Sequence, residues 1–327
     1  MDPASHRLTR RTFVRGALLT GVAAVATTRW PSGGLPAGAR ATAGDDIPRF
    51  DVGEPIVGVA ASGDRVLALG GQASGPRAWT CRYGDTAWRE VTGGGPELPI
   101  GAGVTDVAAR GAGFAAVGWL EGSDGPRPAV FLADETLGWH PAELPETGHG
   151  ICTAVATLGG RTLAVGTRFT EATVREPAAP FAFVADEGGR WSSVTLDGVP
   201  APRHGAVTAL ADIGGRLLLA TTDVAGTALF VAADASGPWR AVRAPKLEQP
   251  FVILAAAPVD GGVLLAGLDT MDRPRCWAGD LSSWRAVDPP VALDAASHVV
   301  GMSDADGAFV AAASSLDHAF VEEVSAA

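Results

Sequence analysis

Thr153-Ala154-Val155-Ala156, Gly159-Gly160, Thr162-Leu163-Ala164-Val165, Phe181-Ala182-Phe183-Val184 and Trp191-Ser192-Ser193-Val194 follow one another in mid-chain. They read as a short strand, a tight turn, an apolar strand, a third strand with aromatic residues and a brief strand opened by tryptophan. Gly-Gly at the turn supplies the positive φ that a two-residue hairpin needs. The run 162–165 is apolar on nearly every residue, which suits a strand covered on both faces.

Working outward, the same order recurs. First strands read Val57-Gly58-Val59-Ala60, Thr105-Asp106-Val107-Ala108 and Thr208-Ala209-Leu210-Ala211. Turns recur at Gly63-Asp64, Gly111-Ala112, Gly214-Gly215, Gly261-Gly262 and Asp306-Gly307. Tryptophans mark one point of the unit at Trp88, Trp139, Trp191, Trp239 and Trp284, spaced 51, 52, 48 and 45 residues apart. A period of this size, with four strands in each unit, specifies an all-β, six-bladed β-propeller of four-stranded antiparallel blades. The indole fills the widening gap at the blade edge, and its N–H is expected to reach a partner. The last unit starts near Val299 and has no Trp-marked fourth strand before Ala327. Ile47-Pro48-Arg49-Phe50 is expected to supply that strand, so that an N-terminal strand closes the ring and removes an exposed sheet edge.

Between the third strand and the tryptophan lies Asp186-Glu187-Gly188-Gly189-Arg190-Trp191, and Asp134 to Trp139 and Asp234 to Trp239 share the spacing. This resembles the Asp-box of sialidase-like propellers, in which the aspartate caps a hairpin. The leading Ser or Thr is absent, and the turns of blades one and five are shortened. The resemblance implies the frame and not the enzyme. The only tyrosine, Tyr83, falls in the outer turn of blade one, so the Tyr–Glu pair of that catalysis is not matched.

The N-terminus reads Thr9-Arg10-Arg11-Thr12-Phe13-Val14-Arg15, followed by an apolar run from Gly16 to Ala26. This resembles a twin-arginine (Tat) translocation signal. Eleven residues cannot span a bilayer. Ala41-Thr42-Ala43 suits cleavage, which divides the chain into residues 1–43, a signal peptide, and residues 44–327, the propeller. Export to the cell envelope or the extracellular space follows, with no membrane insertion after signal cleavage.

The chain carries a net charge of −11, with one lysine, Lys246. Starting at Gly44 it loses six arginines and one aspartate, which leaves about −16. An acidic surface without a basic run excludes nucleic acid as a partner, since phosphate needs neutralising. There is no asparagine, hence no N-glycosylation acceptor. Cys81, Cys152 and Cys276 fall on strands of separate blades, too far apart for a disulfide. They lack the paired spacing of a zinc site, and no cofactor is expected.

His149 and His204 stand six residues before Val155 and Leu210, where the chain enters the first strand of blades three and four. His298 enters blade six two positions deeper, and Phe251 is taken as the blade-five counterpart. The second-to-third-strand loops open on the same face. Thr167 through Pro180 is the longest and carries Arg168, Glu171, Arg175 and Glu176; Trp119, Glu121, Asp124 and Arg127 lie in blade two, and Asp269, Asp272 and Arg273 in blade five. The candidate ligand-binding residues are His149, His204, Arg168, Arg175, Glu176 and Arg203. No nucleophile–base pair can be placed, so no residue is assigned a catalytic role. The reading is an exported non-enzymatic propeller that binds a glycan, a small molecule or an envelope protein on this loop face. Alternatives are a carbohydrate-active hydrolase or lyase, with His149 and His204 as acid and base and Arg168 or Arg203 gripping an anion, and a metal-binding propeller using His149, His204 and His298.

Overall fold

The computed structural model describes residues 49–327 apart from 53–55, 73–74, 83–86, 92–97, 100, 147, 170–176, 187, 202–204, 224–225, 247–250, 260–261, 270, 272, 290–297, 306–307, 315–318 and 325–327. Every helix or strand assigned among these residues is a strand. No helix among them is long and apolar enough to cross a membrane. The proposed signal peptide, Ile47, Pro48 and Tyr83 lie outside the described residues.

Strand β1 is Arg49–Val52. Blade one is β2–β5, namely Ile56–Ser62, Arg65–Gln72, Gly75–Arg82 and Arg89–Glu90. Blade two is β6–β9: Ala102–Arg110, Gly113–Gly122, Gly125–Ala133 and Trp139–Pro141. Blade three is β10–β13: Gly150–Leu158, Arg161–Phe169, Pro177–Ala185 and Trp191–Val194. Blade four is β14–β17: Ala206–Asp212, Leu217–Asp223, Gly226–Ala232 and Arg240–Val242. Blade five is β18–β21: Phe251–Val259, Gly262–Asp269, Pro274–Gly279 and Trp284–Val287. The C-terminal strands are β22–β24: His298–Ala305, Ala308–Ser314 and Ala319–Val324.

The fold is an all-β propeller of four-stranded antiparallel blades. The expected count of six needs correction: five blades, not six, are each built from four consecutive strands. The remaining four-stranded sheet is composite, of order β1-β24-β23-β22. Its fourth strand is β1, from the N-terminal side of the chain. Arg49 to Val52 pair with Glu322 to Ala319 and cover the edge of β24. The described pairing takes in Arg49 and Phe50 of the expected segment Ile47–Phe50 and runs on to Val52. First strands pack side by side from β2 through β6, β10, β14 and β18 to β22, which returns to β2.

Each first strand contains a register shift at one place: between Ile56 and Gly58, Val104 and Asp106, Cys152 and Ala154, Val207 and Ala209, Ile253 and Ala255, and Val299 and Gly301. These bulges kink and twist the inner strand. Thr105, Thr153 and Thr208 occupy three of them, and their hydroxyls donate to Val117, Val165 and Ala220 O across the hairpin.

The core forms layers between neighbouring blades. Leu163, Val165, Leu217 and Leu219 lie between blades three and four, and Val117, Val130, Ala164 and Phe183 between two and three. Each fully buried side chain of this size contributes about 1.5–3 kcal/mol. At equivalent positions the third strands of blades one to five present a buried aromatic, Trp79, Phe131, Phe183, Phe230 and Trp277, opposite Ala68, Ala116, Ala164, Leu219 and Leu265, and blade three adds Phe181. Trp139, Trp191 and Trp239 are buried as expected. Their Nε1–H groups, contrary to expectation, are buried without a partner among the described residues; Trp284 Nε1 donates to Arg243 O. Apolar packing of the ring thus outweighs an unpaired donor at three blades.

On the side away from the candidate site, aspartates cap the turns between third and fourth strands. Asp134 Oδ1 accepts from Thr136 N (2.7 Å) and Thr136 Oγ1 (2.6 Å), and Asp280 Oδ1 accepts from Ser282 N (3.0 Å) and Ser283 N (2.9 Å). Gly189 and Gly237 take the positive φ these turns need, at 80° and 75°. Leu137 and Leu281 take it at 64° and 73°, with both side chains buried.

Candidate functional site

In an antiparallel meander the approach to each first strand and the turn from second to third strand open on one face. His149 stands at that face just before β10, and its carbonyl accepts from Phe169 N (3.1 Å). Gly150 pairs with Arg168 and Ile151 with Thr167, so His149, Ile151, Thr167 and Phe169 share one side of the β10–β11 ladder. His149 is half-buried, and its Nδ1 is shut off from solvent with no hydrogen-bond partner among the described residues. Thr167, 1% exposed, also leaves its Oγ1 unpartnered. Two buried polar atoms without partners among the described residues thus stand two rungs apart on one side of the ladder.

The strands run farther than the sequence suggests. Arg168 belongs to β11 and not to a loop: it pairs with Gly150 on one side and Ala179 on the other. A Cβ at Gly150 would approach Thr167 O to 2.7 Å, so glycine lets the ladder continue there. The insertion is thereby shortened to residues between Phe169 and Pro177. Arg168 itself is exposed and makes no hydrogen bond or ion pair among the described residues. Arg175, Glu176, Arg203 and His204, with Glu171, lie outside the described residues. His298 opens β22 opposite Ser314, one rung before Val299 at the bulge. Phe251 is not the counterpart of His149: it pairs with Asp269, four residues before the post-bulge Ala255, which aligns it with Gly150.

In blade two, Arg127 Nη2 donates to both oxygens of Asp124 (3.0 and 2.9 Å). That bond, followed by the Asp124 backbone N–H and the charges of Arg127 and His149, holds the Asp124 carboxyl below its ordinary range. His149 is therefore an electrostatic neighbour of the Asp124–Arg127 pair. Trp119 is half-buried against Gly103, where a Cβ would fall 2.1 Å from the indole. It is packed down onto the strand and is not a projecting platform.

In blade five, Asp269 is 3% exposed. Its Oδ1 accepts from Met271 N (2.8 Å) and Arg273 N (3.2 Å). Its Oδ2 accepts from Arg273 Nε (2.8 Å) and from Arg275 Nε (3.2 Å) and Nη2 (3.0 Å). Burial pushes this carboxyl up, but the two backbone N–H groups and two guanidiniums outweigh it, and the group titrates below its ordinary range. Asp269 is thus an anchor of the turn and not an open ligand. Asp272 lies outside the described residues.

One carboxylate was not singled out from the sequence. Asp106, the first residue after the β6 bulge, accepts from Val107 N (2.8 Å) and, across the seam to blade three, from Val155 N (2.9 Å). The same position carries Gly58, Ala154, Ala209, Ala255 and Gly301 in the other first strands. Burial pushes the Asp106 carboxyl up to about 7, against the opposing pull of the two N–H groups. The available signal was a lone acid in a column of Gly and Ala. Thr105 adds a second bond over the same seam, to Cys152 O (2.8 Å).

No cluster of three or more His, Cys, Asp or Glu side chains suited to a metal occurs among the described residues. The triad His149, His204 and His298 includes residues whose side chains are not described. The three cysteines are buried, and none forms a disulfide. Burial raises the Cys152 thiol, and it pushes Cys276 up to about 12, Asp288 adding to the effect. Both are poor nucleophiles and metal ligands in the folded chain.

No protein-family model matches this chain, and no curated protein does. Solved structures do resemble it. One described as YCF48 bound to D1 peptide has 14% identity and a TM-score of 0.49, over 93% of this chain and 98% of that one. Luciferin-regenerating enzyme has 10% identity and a TM-score of 0.57, over 84% and 92% respectively. At such identity the likeness to the second shows the β-propeller fold and nothing of the chemistry.

Proposed function

We propose that this chain is a non-enzymatic binding propeller whose ligand or protein partner sits on the face that carries His149. One observation carries the reading: the buried Nδ1 of His149, without a partner among the described residues. An unpaired buried polar atom costs about 1–3 kcal/mol, and here it stands beside the unpartnered Thr167 Oγ1 and the exposed Arg168. With no partner at Nδ1, neither tautomer is fixed, and the open edge of the ring can donate or accept. Hydroxyls and an anionic group suit that surface. Export by the Tat route belongs to the same proposal and rests on Arg10-Arg11 and the apolar run behind them.

The test is calorimetry of the full chain with glucuronate, which offers hydroxyls to the imidazole and a carboxylate to Arg168. His149→Phe keeps a ring and removes both nitrogens. Freed of the orphan atom, the variant should be more stable than the parent by about 1 kcal/mol and should lose the binding heat. No heat with the parent protein, or equal heat with the variant, refutes the site.

A further inference from the structure

Blade five holds a second feature, away from His149 in the chain. A single buried carboxylate oxygen, Asp269 Oδ2, receives two guanidiniums. One cation would neutralise it. Arg273 and Arg275 both stay about half open, with side chains 52% and 42% exposed. Each grips Asp269 along its Nε–Nη2 edge, so each Nη1 is left without a partner among the described residues. Because both side chains are already held by a fixed acceptor, little rotamer entropy remains to be lost when they meet a second anion. Met271, 56% exposed, stands in the same turn, with its backbone N–H tied to Asp269. A flexible thioether beside two fixed cations suits an anion attached to an apolar group.

The geometry points to a carboxylate-binding site here: a carboxylate carried on an aliphatic group, bridging the open Nη1 ends of Arg273 and Arg275, with its apolar part against Met271. This chemistry is offered by a free aliphatic acid and by the C-terminus of a peptide that ends in an aliphatic residue. The site is independent of the His149 reading.

The full chain is titrated calorimetrically with hexanoate and with a short peptide ending in leucine with a free carboxylate. Hexanol and the C-terminally amidated peptide are the neutral controls. Binding of either acid, with the controls silent, is expected, and the acid that binds identifies the source. Arg273→Gln and Arg275→Gln should each weaken it by roughly tenfold or more, the loss of one charge-assisted contact. Each variant keeps one arginine on Asp269, and its melting curve verifies the fold. His149→Phe should leave this binding unchanged, so the two sites stand or fall separately. Asp272 neighbours Arg273 in sequence, and Asp272→Asn should hold or tighten binding. The site is overturned if neither acid binds the parent, if the neutral controls bind equally, if both arginine variants bind like the parent, or if binding appears only in Asp272→Asn.

Discussion

Replacing Asp106 tests whether burial or hydrogen bonding governs the seam between blades two and three. The carboxylate accepts N–H groups from both blades, which favours the charged form, while burial favours the neutral form and raises the pKa to about 7. The sign follows from linkage: a group that binds protons more tightly folded than unfolded adds stability below its unfolded pKa, and loses it as pH rises through the folded value. A rise of about three units at 1.36 kcal/mol each sets a ceiling of ~4 kcal/mol. Asp106 keeps partial contact with solvent, which screens the penalty, so a loss of about 1–2 kcal/mol between about pH 5 and pH 8 is expected.

Asp106→Ala is the suitable variant, because Ala154, Ala209 and Ala255 already occupy the equivalent position in three other first strands. Urea unfolding of parent and variant across this range gives a difference from which all other titrating groups cancel. The advantage of the parent over Asp106→Ala should shrink by about 1–2 kcal/mol from low to high pH. Asp106→Asn, which cannot ionise either, should differ from Asp106→Ala by a constant amount across the range. A difference that stays flat, or that grows toward pH 8, would mean that the two N–H bonds hold the carboxylate charged, and the argument from burial fails.

Deleting Arg49–Val52 from the full chain removes the strand that covers β24; the variant should melt lower and aggregate, and an unchanged melting temperature refutes closure by this segment. Leu137→Gly relieves a left-handed residue, worth about 1–2 kcal/mol, but uncovers a buried leucine worth about 1.5–3 kcal/mol. A net loss of about 1 kcal/mol is expected on urea unfolding, and a gain would show that strain dominates the turn. Lysine at both Arg10 and Arg11 should leave folded precursor in the cytoplasm, and normal secretion of that variant would remove the Tat proposal.

The parts of this molecule that could be read from its sequence are those enforced by periodic packing. Trp139, Trp191 and Trp239 recur because each blade must fill the same wedge, and a wedge repeats whatever its surroundings do. The closure of β24 by a segment ahead of blade one was legible for a similar reason: an open edge demands a partner, and that segment had no other role. Asp106 was not legible, since its second acceptor contact, to Val155, depends on which strand the ring sets beside β6. Arg168 was misplaced because its ladder extends through Gly150, whose role is to have no side chain where Thr167 O passes. The same dependence limits the functional residues. His149 was visible because His204 stands at the equivalent position of the next blade, but its significance comes from an atom that finds no partner among the described residues. Arg273 and Arg275 gain theirs from sharing one buried oxygen. Repetition specifies the scaffold, and the chemistry resides where single residues depart from it. A loss of binding at His149 or at the Arg273–Arg275 pair, with the propeller left folded, would separate those two layers by experiment.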